Sequence, residues 1–445
     1  MSNWKQVSDF VNFSIKGITP KYVENSSIIV LNQKCIRNGK IDYSFSQYTD
    51  DTKQISESKF VKRGDILINS TGTGTAGRCA FVNELPENHR LITDSHILLL
   101  RCNSYYEAQC LSYLLFSFEK TLMSFMTGSS GQSELDKVVL LNLKTKLPTD
   151  SNIQQKIAKV LSDLDSKIEL NNRINTELEA MAKTLYDYWF VQFDFPYSPP
   201  SEGCPQDGVG IGKPYKTSGG KMVWNDELKR EIPEGWEVKK VKDIAETGSG
   251  GTPLKSKKEY FENGTIPWIN SGEVNASFII SSRKFITQKG LDNSSAKLFQ
   301  RGTILMAMYG ATAGQVSLID LEASTNQAVC GIIPNDKRMI PYLKYGLHQL
   351  YDYLINLSSG SARDNLSQDK IKELYFVIPE DNLMEQFYKI SNSHFEMILR
   401  NLKENQEFSS LRDWLLPMLM NGQLRVGDGE EELGMVAEES PRYGK

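Results

Sequence analysis

A mixed α/β fold is predicted for this 445-residue chain: two globular α/β modules joined by two long antiparallel helices, with an internal pseudo-two-fold duplication. Three observations predict it. The chain repeats itself, since RGDIL at 63–67 returns as RGTIL at 301–305, and Thr75-Ala76-Gly77 returns as Thr312-Ala313-Gly314. Trp4 with GITP at 17–20 is likewise matched by Trp236 with GGTP at 250–253. Each copy then reaches a proline, Pro148 or Pro379, that opens a long stretch of helical spacing. Finally, the repeat is far longer than the few tens of residues of a solenoid unit, so only two copies of a whole module fit.

The first globular region, 1–148, carries short apolar runs at 27–31, 66–68 and 97–100, bounded by Gly, Asn and Asp, which predict strands. Residues 105–126 have helical spacing and precede a Gly-Ser turn at 128–131. The second region, 236–379, repeats this plan with strands at 304–306 and 328–333, a helix over 340–357 and a turn at 358–361. The long helices occupy 149–195 and 380–425. In the first, Ser151 with Gln154 fits a capping box. Ile157, Leu164, Asn171, Leu178 and Leu185 then fall seven apart, with Val160, Ile174, Met181 and Tyr188 between them, as in a coiled-coil seam. In the second, Asn382 with Glu385 is the expected cap, and the expected seam is Phe387, Ile390, His394, Met397, Asn401, Phe408, Leu411 and Leu415. Pro417 should kink the last turn, and Asn421-Gly422 should end it. Asn171 and Asn401 lie near the middle of their seams, where antiparallel helices meet, and one buried asparagine on each would fix register. Between the modules, 196–235 is dense in Pro, Gly and Ser and reads as an extended linker.

Bulk properties exclude several classes. No apolar run approaches the roughly 20 residues that span a bilayer, and the N-terminal MSNWKQVSDFVNF has no basic-then-apolar signal pattern. The six cysteines are scattered without a C-x-x-C pair, so the expected compartment is a reducing cytoplasm. The net charge of −4 resides in the tail: 426–445 carries six acidic residues against two basic ones and is expected to be disordered. The remainder is neutral overall, which leaves room for a local basic face.

Catalytic motifs are missing. Gly72-Thr73-Gly74-Thr75-Ala76-Gly77 matches G-x-G-x-x-G, but strand-like Arg78–Val82 follows where a dinucleotide site needs a helix. The duplicate, Tyr309–Gly314, lacks the first two glycines of that match, so a turn between strands explains both copies. Residues 208–213 resemble a phosphate loop, but Pro214 stands at its Ser/Thr position. Ser198-Pro199-Pro200 lacks the arrangement adenine methyltransferases use, and the four histidines show no metal-ligand spacing.

What remains is a set of polar, basic and aromatic residues at turns of both modules. In the first these are Lys16, Lys21, Asn69, Ser70, Thr71, Thr73, Arg78 and Gln132. In the second they are Thr252, Lys255, Lys257, Tyr260, Asn270, Ser271, Tyr309, Gln315 and Arg363. Lys and Arg neutralise phosphates, while Asn, Gln and Arg pair bidentately with base edges, so these are the candidate DNA contacts.

Several longer stretches resemble the specificity subunits of type I restriction–modification systems. They are WEVKKVKDI from Trp236 to Ile244, GGTP at 250–253, IPWINSGE at 266–273, RGTILMAMYGATAG at 301–314 and TNQAVCGI at 325–332. PYKTSGGKMVWNDELKREIPEGW in the linker matches too, whereas RGDILINSTGTGTAG at 63–77 and TDSHILLL at 93–100 match more loosely. The resemblance covers about 1–425. It implies that each globular region is a target recognition domain for one half of a bipartite double-stranded DNA site. It also implies that the long helices set half-site spacing and dock two modification subunits. Those partners would carry S-adenosylmethionine and methylate adenine at N6, and restriction subunits would add ATP- and Mg-dependent translocation and cleavage. This chain would be non-catalytic, with no cofactor of its own. The alternative is a stand-alone DNA methyltransferase or nucleotide-binding enzyme.

Overall fold

The computed structural model describes residues 4–52, 54–72, 74–126, 134–197, 212–351, 353–354 and 366–427. The chain divides into two compact units, Met1–Ile168 with Gln406–Lys445, and Glu169–Asn405.

Each unit is built on the same sheet. In the first, an antiparallel sheet runs in the order Val11–Lys16, Ile97–Cys102, Ile66–Asn69, Cys79–Phe81. In the second, Ala245–Ser249, Val329–Pro334, Ile304–Ala307 and Val316–Ile319 follow the same order, with Phe278–Ile279 added parallel at the edge. A second small sheet also recurs. Arg90–Thr93 pairs parallel with Ile28–Leu31, and Ala323–Thr325 pairs parallel with Ile266–Ile269. The expected strands are all present.

The apolar runs are continuous because these strands are covered on both faces. Ile66, Ile68, Leu98 and Leu100 face one core, while Leu67, Ile97 and Leu99 face another. The duplicate keeps the alternation: Ile304, Met306, Cys330 and Ile332 face one way, and Leu305, Ala307 and Val329 the other. One face of each sheet is covered by a helix, α1 (Tyr105–Ser117) in the first unit and α3 (Met339–Gln349) in the second. The run expected over 105–126 breaks at Phe118 and resumes as Glu119–Ser124. The turns at 128–131 and 358–361 lie outside the described residues.

The long helices are α2 (Ser151–Tyr186) and α4 (Asp381–Met420). Both expected caps need correction. Asp150 caps α2, its Oδ1 accepting from the amides of Asn152 and Ile153 at 2.8 and 3.1 Å, while Gln154 donates to the Pro148 carbonyl. At α4 the Glu380 carbonyl accepts the first bonds from Leu383 and Met384, and Glu385 faces Arg338 instead. α4 continues through Pro417, and Gly422, at φ 72°, closes it. There the amides of Gly422 and Gln423 reach the carbonyls of Leu419 and Met418, the bonding of a left-handed helix cap.

The heptad seam also needs correction. Met181, Tyr188, Ile390, Met397 and Leu411 are exposed, whereas Ala182, Tyr186, Trp189, Ser391, Phe395 and Ile398 are buried. The covered stripe keeps an eleven-residue spacing, as in Asn171 to Ala182, Asn175 to Tyr186 and Phe387 to Ile398. Such spacing averages about 3.67 residues per turn, close to a straight helix, so a strict 3.5 repeat drifts by about 20° per heptad. Ile157, Phe387 and Asn401 of the expected seam stay buried, and Leu178 and Leu185 pack against the core.

Residues 196–235 are not simply extended. Pro196–Tyr197 pairs with Lys213–Pro214, and Met222–Asn225 forms a hairpin with Arg230–Pro233. The aromatic residues drive this. Phe195 stacks on Tyr215 and Trp236 with ring centroids 4.6 and 5.0 Å apart, and Ile232 is buried beside them. Among the described residues, no helix is long and apolar enough to cross a membrane.

Candidate nucleic-acid interface and helix register

In each module three segments meet at one sheet edge: the loop after the first sheet strand, the turn entering the central strand, and the glycine turn of the 66–81 or 304–319 hairpin. Gly17 donates to the Ile97 carbonyl and Ile18 to that of Thr93, both at 3.0 Å. A Cβ at Gly17 would lie 2.0 Å from the Asp94 carbonyl oxygen, so only glycine lets the two backbones touch. The second module repeats the contact, since a Cβ at Gly250 would lie 2.1 Å from Thr325 Oγ1 and 2.2 Å from its carbonyl oxygen. Asp94 and Asn326 then make the same turn, accepting from the amides of His96 (2.9 Å) and Ala328 (3.1 Å). Burial pushes the Asp94 carboxyl above its ordinary range, against the His96 hydrogen bond.

The glycine turns join at this point. Ser70 donates from its amide and hydroxyl to the His96 carbonyl at 2.8 and 2.9 Å, and Met308 donates to Ala328 at 2.8 Å. Gly72, Gly74, Gly77, Gly310 and Gly314 all have positive φ. As expected, these turns link antiparallel strands, with Ile68 opposite Cys79 and Met306 opposite Val316.

Side chains presented at the two edges differ. In the first, Thr71 Oγ1 accepts from Gln33 Nε2 at 2.6 Å and lies 2.8 Å from Nδ1 of exposed His96. In the second, Thr252 bonds exposed Gln327, Tyr309 is exposed, and Thr312 donates to the Ser271 carbonyl at 2.9 Å. The two rims therefore share a backbone and offer different hydrogen-bonding groups.

Several sequence candidates turn out to be structural. Asn69 and Ser70 are fully buried, and the Asn69 amide ties the Gln33 and Thr75 carbonyls together at 3.0 and 3.2 Å. Tyr260 is buried and takes a hydrogen bond from Lys257. Arg78 braces its own turn through the Gly74 carbonyl at 2.8 Å and pairs with Glu119. Lys16 pairs with Glu134, and Lys21 with Asp50 at 2.9 Å. Asn270 caps the short turn at Ser271–Glu273, its amide donating to Glu273. Lys255 and Lys257 are exposed, and Gln315 lines a cavity with Lys344 and Tyr345. Thr73, Gln132 and Arg363 lie outside the described residues. Gln33, His96 and Gln327 also stand at the rims and are not among the sequence candidates, although His96 and Gln327 lie in the paired segments TDSH and TNQA.

The register asparagines behave differently from the expectation that Asn171 faces Asn401. Asn171 Nδ2 donates to Asn405 Oδ1 at 3.0 Å, and Asn401 Nδ2 donates to Asn175 Oδ1 at 2.8 Å. Asn405 in turn donates to Asn172 Oδ1 at 2.8 Å. Each helix thus carries an N-x-x-x-N pair, NNRIN at 171–175 and NLKEN at 401–405, and each asparagine meets the other helix's non-equivalent one. The pairing is antiparallel and unchanged when the helices exchange roles. Asn175, Asn401 and Asn405 are buried. In the first unit the same antiparallel sense places Arg412 Nη1 2.7 Å from Asp165 Oδ1. Among the described residues, no group of three His, Cys, Asp or Glu side chains is placed to hold a metal ion.

Comparison with known proteins follows the duplication. The sequence model of the Type I restriction modification DNA specificity domain matches residues 1–180 and again 233–405. The chain is 28% identical over 470 residues to the Type I restriction enzyme HindI specificity subunit of Haemophilus influenzae, covering 95% of this chain and 100% of that protein. It is 29% identical to the Type I restriction enzyme MjaIX specificity subunit of Methanocaldococcus jannaschii, covering 71% of this chain and 69% of that one. Its fold is similar to the crystal structure of a type-I restriction-modification system S subunit from M. genitalium, with TM-score 0.55, 14% identity, and 94% and 96% of the two chains covered.

Proposed function

Since this chain belongs to the type I restriction–modification DNA specificity family, we propose that its two rims each read one half of a bipartite DNA site. The observation that carries the reading is that the family match falls separately on both halves of the duplication. The chain is a DNA-specificity subunit, non-catalytic itself, whose chemistry resides in partner subunits. Two modules on one duplex gain effective concentration, and a rigid connection penalises wrong half-site spacings. Different rim side chains on a common backbone fit two different half-sites. Glycine, threonine and glutamine at the rims allow close approach of backbone and side chain to base edges.

In this reading the helices set half-site spacing and dock two modification subunits in the cytoplasm. These would bring S-adenosylmethionine to adenine N6, and restriction subunits would bring ATP and Mg. Exposed Met181, Tyr188, Met397 and Trp414 give the helices apolar surface for such docking. Exposed Lys255 and Lys257, with His96, Gln33, Thr71, Gln327 and Tyr309, are the contacts this reading favours.

Methylome sequencing of cells with and without the gene tests it. A bipartite N6-methyladenine motif should vanish with the gene. Exchange of residues 1–148 for those of a relative should change one half of the motif alone. A contiguous motif, or one that survives deletion, would sink the reading.

A further inference from the structure

The two modules differ most tellingly at one buried spot behind the sheet. In the first, Tyr113 on α1 donates its hydroxyl to Asp165 Oδ2 at 2.7 Å, and the other oxygen of that carboxylate holds Arg412 at 2.7 Å. Next to Tyr113, Ser112 satisfies itself on the Gln109 carbonyl. This polar cluster is closed: every charge has its partner.

The same positions in the second module follow from the shared strand, Ile97–Cys102 against Val329–Pro334. Tyr113 becomes Tyr345, Ser112 becomes Lys344, and on the long helices Asp165 becomes Phe395. The carboxylate is gone and a buried ammonium has appeared. Tyr345 is 5% exposed and its hydroxyl has no hydrogen-bond partner. Lys344 is 4% exposed, and its Nζ finds a neutral acceptor, Ser277 Oγ, at 2.7 Å. The rings of Phe278, Tyr345 and Phe395 lie 4.6, 4.7 and 5.5 Å from it. Burial pushes this lysine down to about 8, with Glu179 acting in the opposite sense.

Both groups line a cavity of about 300 Å³ that also touches Lys183, His348, Gln315 and Glu179. Glu179 is the one carboxylate in this lining and acts on Lys344 and Tyr345 through space, but Lys344 donates to Ser277 and the Tyr345 hydroxyl has no acceptor. Two lysines against one carboxylate leave the lining with a net positive charge. Burial, Lys344 and Lys183 together hold His348 below its ordinary range, so the imidazole adds little charge of its own.

We infer that this cavity is an oxyanion site, where Lys344 and Tyr345 bind one phosphate or carboxylate group in the role that Asp165 plays in the first module. An anion would give the orphaned phenol an acceptor and give the Lys344 ammonium, which now donates to neutral Ser277, a charge-assisted hydrogen bond. The group could belong to a free ion or to a DNA backbone phosphate, since Gln315 stands at the foot of the glycine turn. The inference does not depend on the DNA reading.

The full-length protein is titrated with sodium phosphate, and separately with sodium acetate, at constant ionic strength by calorimetry and thermal unfolding. Wild type should show saturable binding of at least one of the two ions. Lys344→Met, whose chain fills the same apolar stem space, should lose the saturable response. Tyr345→Phe, which removes only the hydroxyl, should weaken it several-fold without loss of folding. Where the anion comes from DNA, Lys344→Met also lowers the slope of log affinity for duplex against log salt by about one. An unchanged slope with lost ion binding assigns the site to a free ion. The inference is overturned if neither ion gives a saturable response and the slope is also unchanged, or if wild type and both variants respond alike.

Discussion

Replacing Asn175 and Asn401 by leucine, singly and together, separates the register role of the asparagine pair from its stability. Asn401 Nδ2 donates to Asn175 Oδ1 at 2.8 Å with both residues buried, and Asn175 Nδ2 already lacks a partner. Asn401→Leu strands one further buried acceptor, and Asn175→Leu strands one buried donor, at about 1–3 kcal/mol each. Added apolar burial returns part of this, so each single variant should be destabilised by about 1–2 kcal/mol. The double variant leaves neither group stranded and should match or exceed wild type. The coupling between the two sites should therefore be at least about 2 kcal/mol. Hydrogen-exchange protection of peptides covering 169–178 and 398–405 in the intact protein measures it, because that readout does not require all-or-none unfolding of the chain. A slip of one turn would set Asn171 against Asn401 but Asn175 against Met397 and Asn405 against Lys167, leaving two amides unmatched. The double variant should consequently tolerate such slips. Additive single effects, or a double variant as weak as their sum, would refute the pairing argument.

Gly250→Ala should cost about 3 kcal/mol or more, because its Cβ meets backbone 2.2 Å away; melting should fall by roughly 6–10 °C. Gly17→Ala should do the same to the first module and leave the second intact in a domain-resolved melt. Lys344 holds fewer protons in the fold than when unfolded between about pH 8 and its ordinary value near 10.5, so stability should rise with pH across that window. Relative to Lys344→Met, wild type should lack about 3 kcal/mol at pH 7 and recover it by pH 10.5, read as a pH-dependent difference in denaturation midpoint. Burial raises the thiols of Cys35, Cys79, Cys102, Cys110 and Cys330, the first to about 11. A thiol titration of native protein at neutral pH should therefore label no more than one cysteine per chain.

The duplication, the central strands and both long helices were legible because each rests on local signals: repeated words, apolar runs and proline starts. The helix contact face was not. Met181 and Tyr188 satisfy a heptad by residue type, and only the eleven-residue drift of the packed stripe turns them outward. The linker was misjudged because glycine and proline dominate its composition, while the stacking of Phe195, Tyr215 and Trp236 depends on residues distant in sequence. At the rims, Asn69 and Ser70 look like contacts because polar residues on a turn are usually exposed; here the turn folds back and uses them to hold the Gln33 and His96 carbonyls. His96, a contact in the proposed reading, was hidden for the converse reason, since its placement comes from Thr71 across the sheet edge rather than from its neighbours.

The asparagine pairing has one consequence of a different kind. The asparagines that pair across the helices, Asn171, Asn172, Asn175, Asn401 and Asn405, all belong to the helices rather than to the globular regions they carry. N-x-x-x-N on one strand completes N-x-x-x-N on the other, so the joint is a coupling of standard gauge. Recombination that brought in an unfamiliar globular region would leave the coupling untouched, provided the crossover fell outside 171–175 and 401–405. A lineage could then change what is carried at each end while inheriting the same fastening.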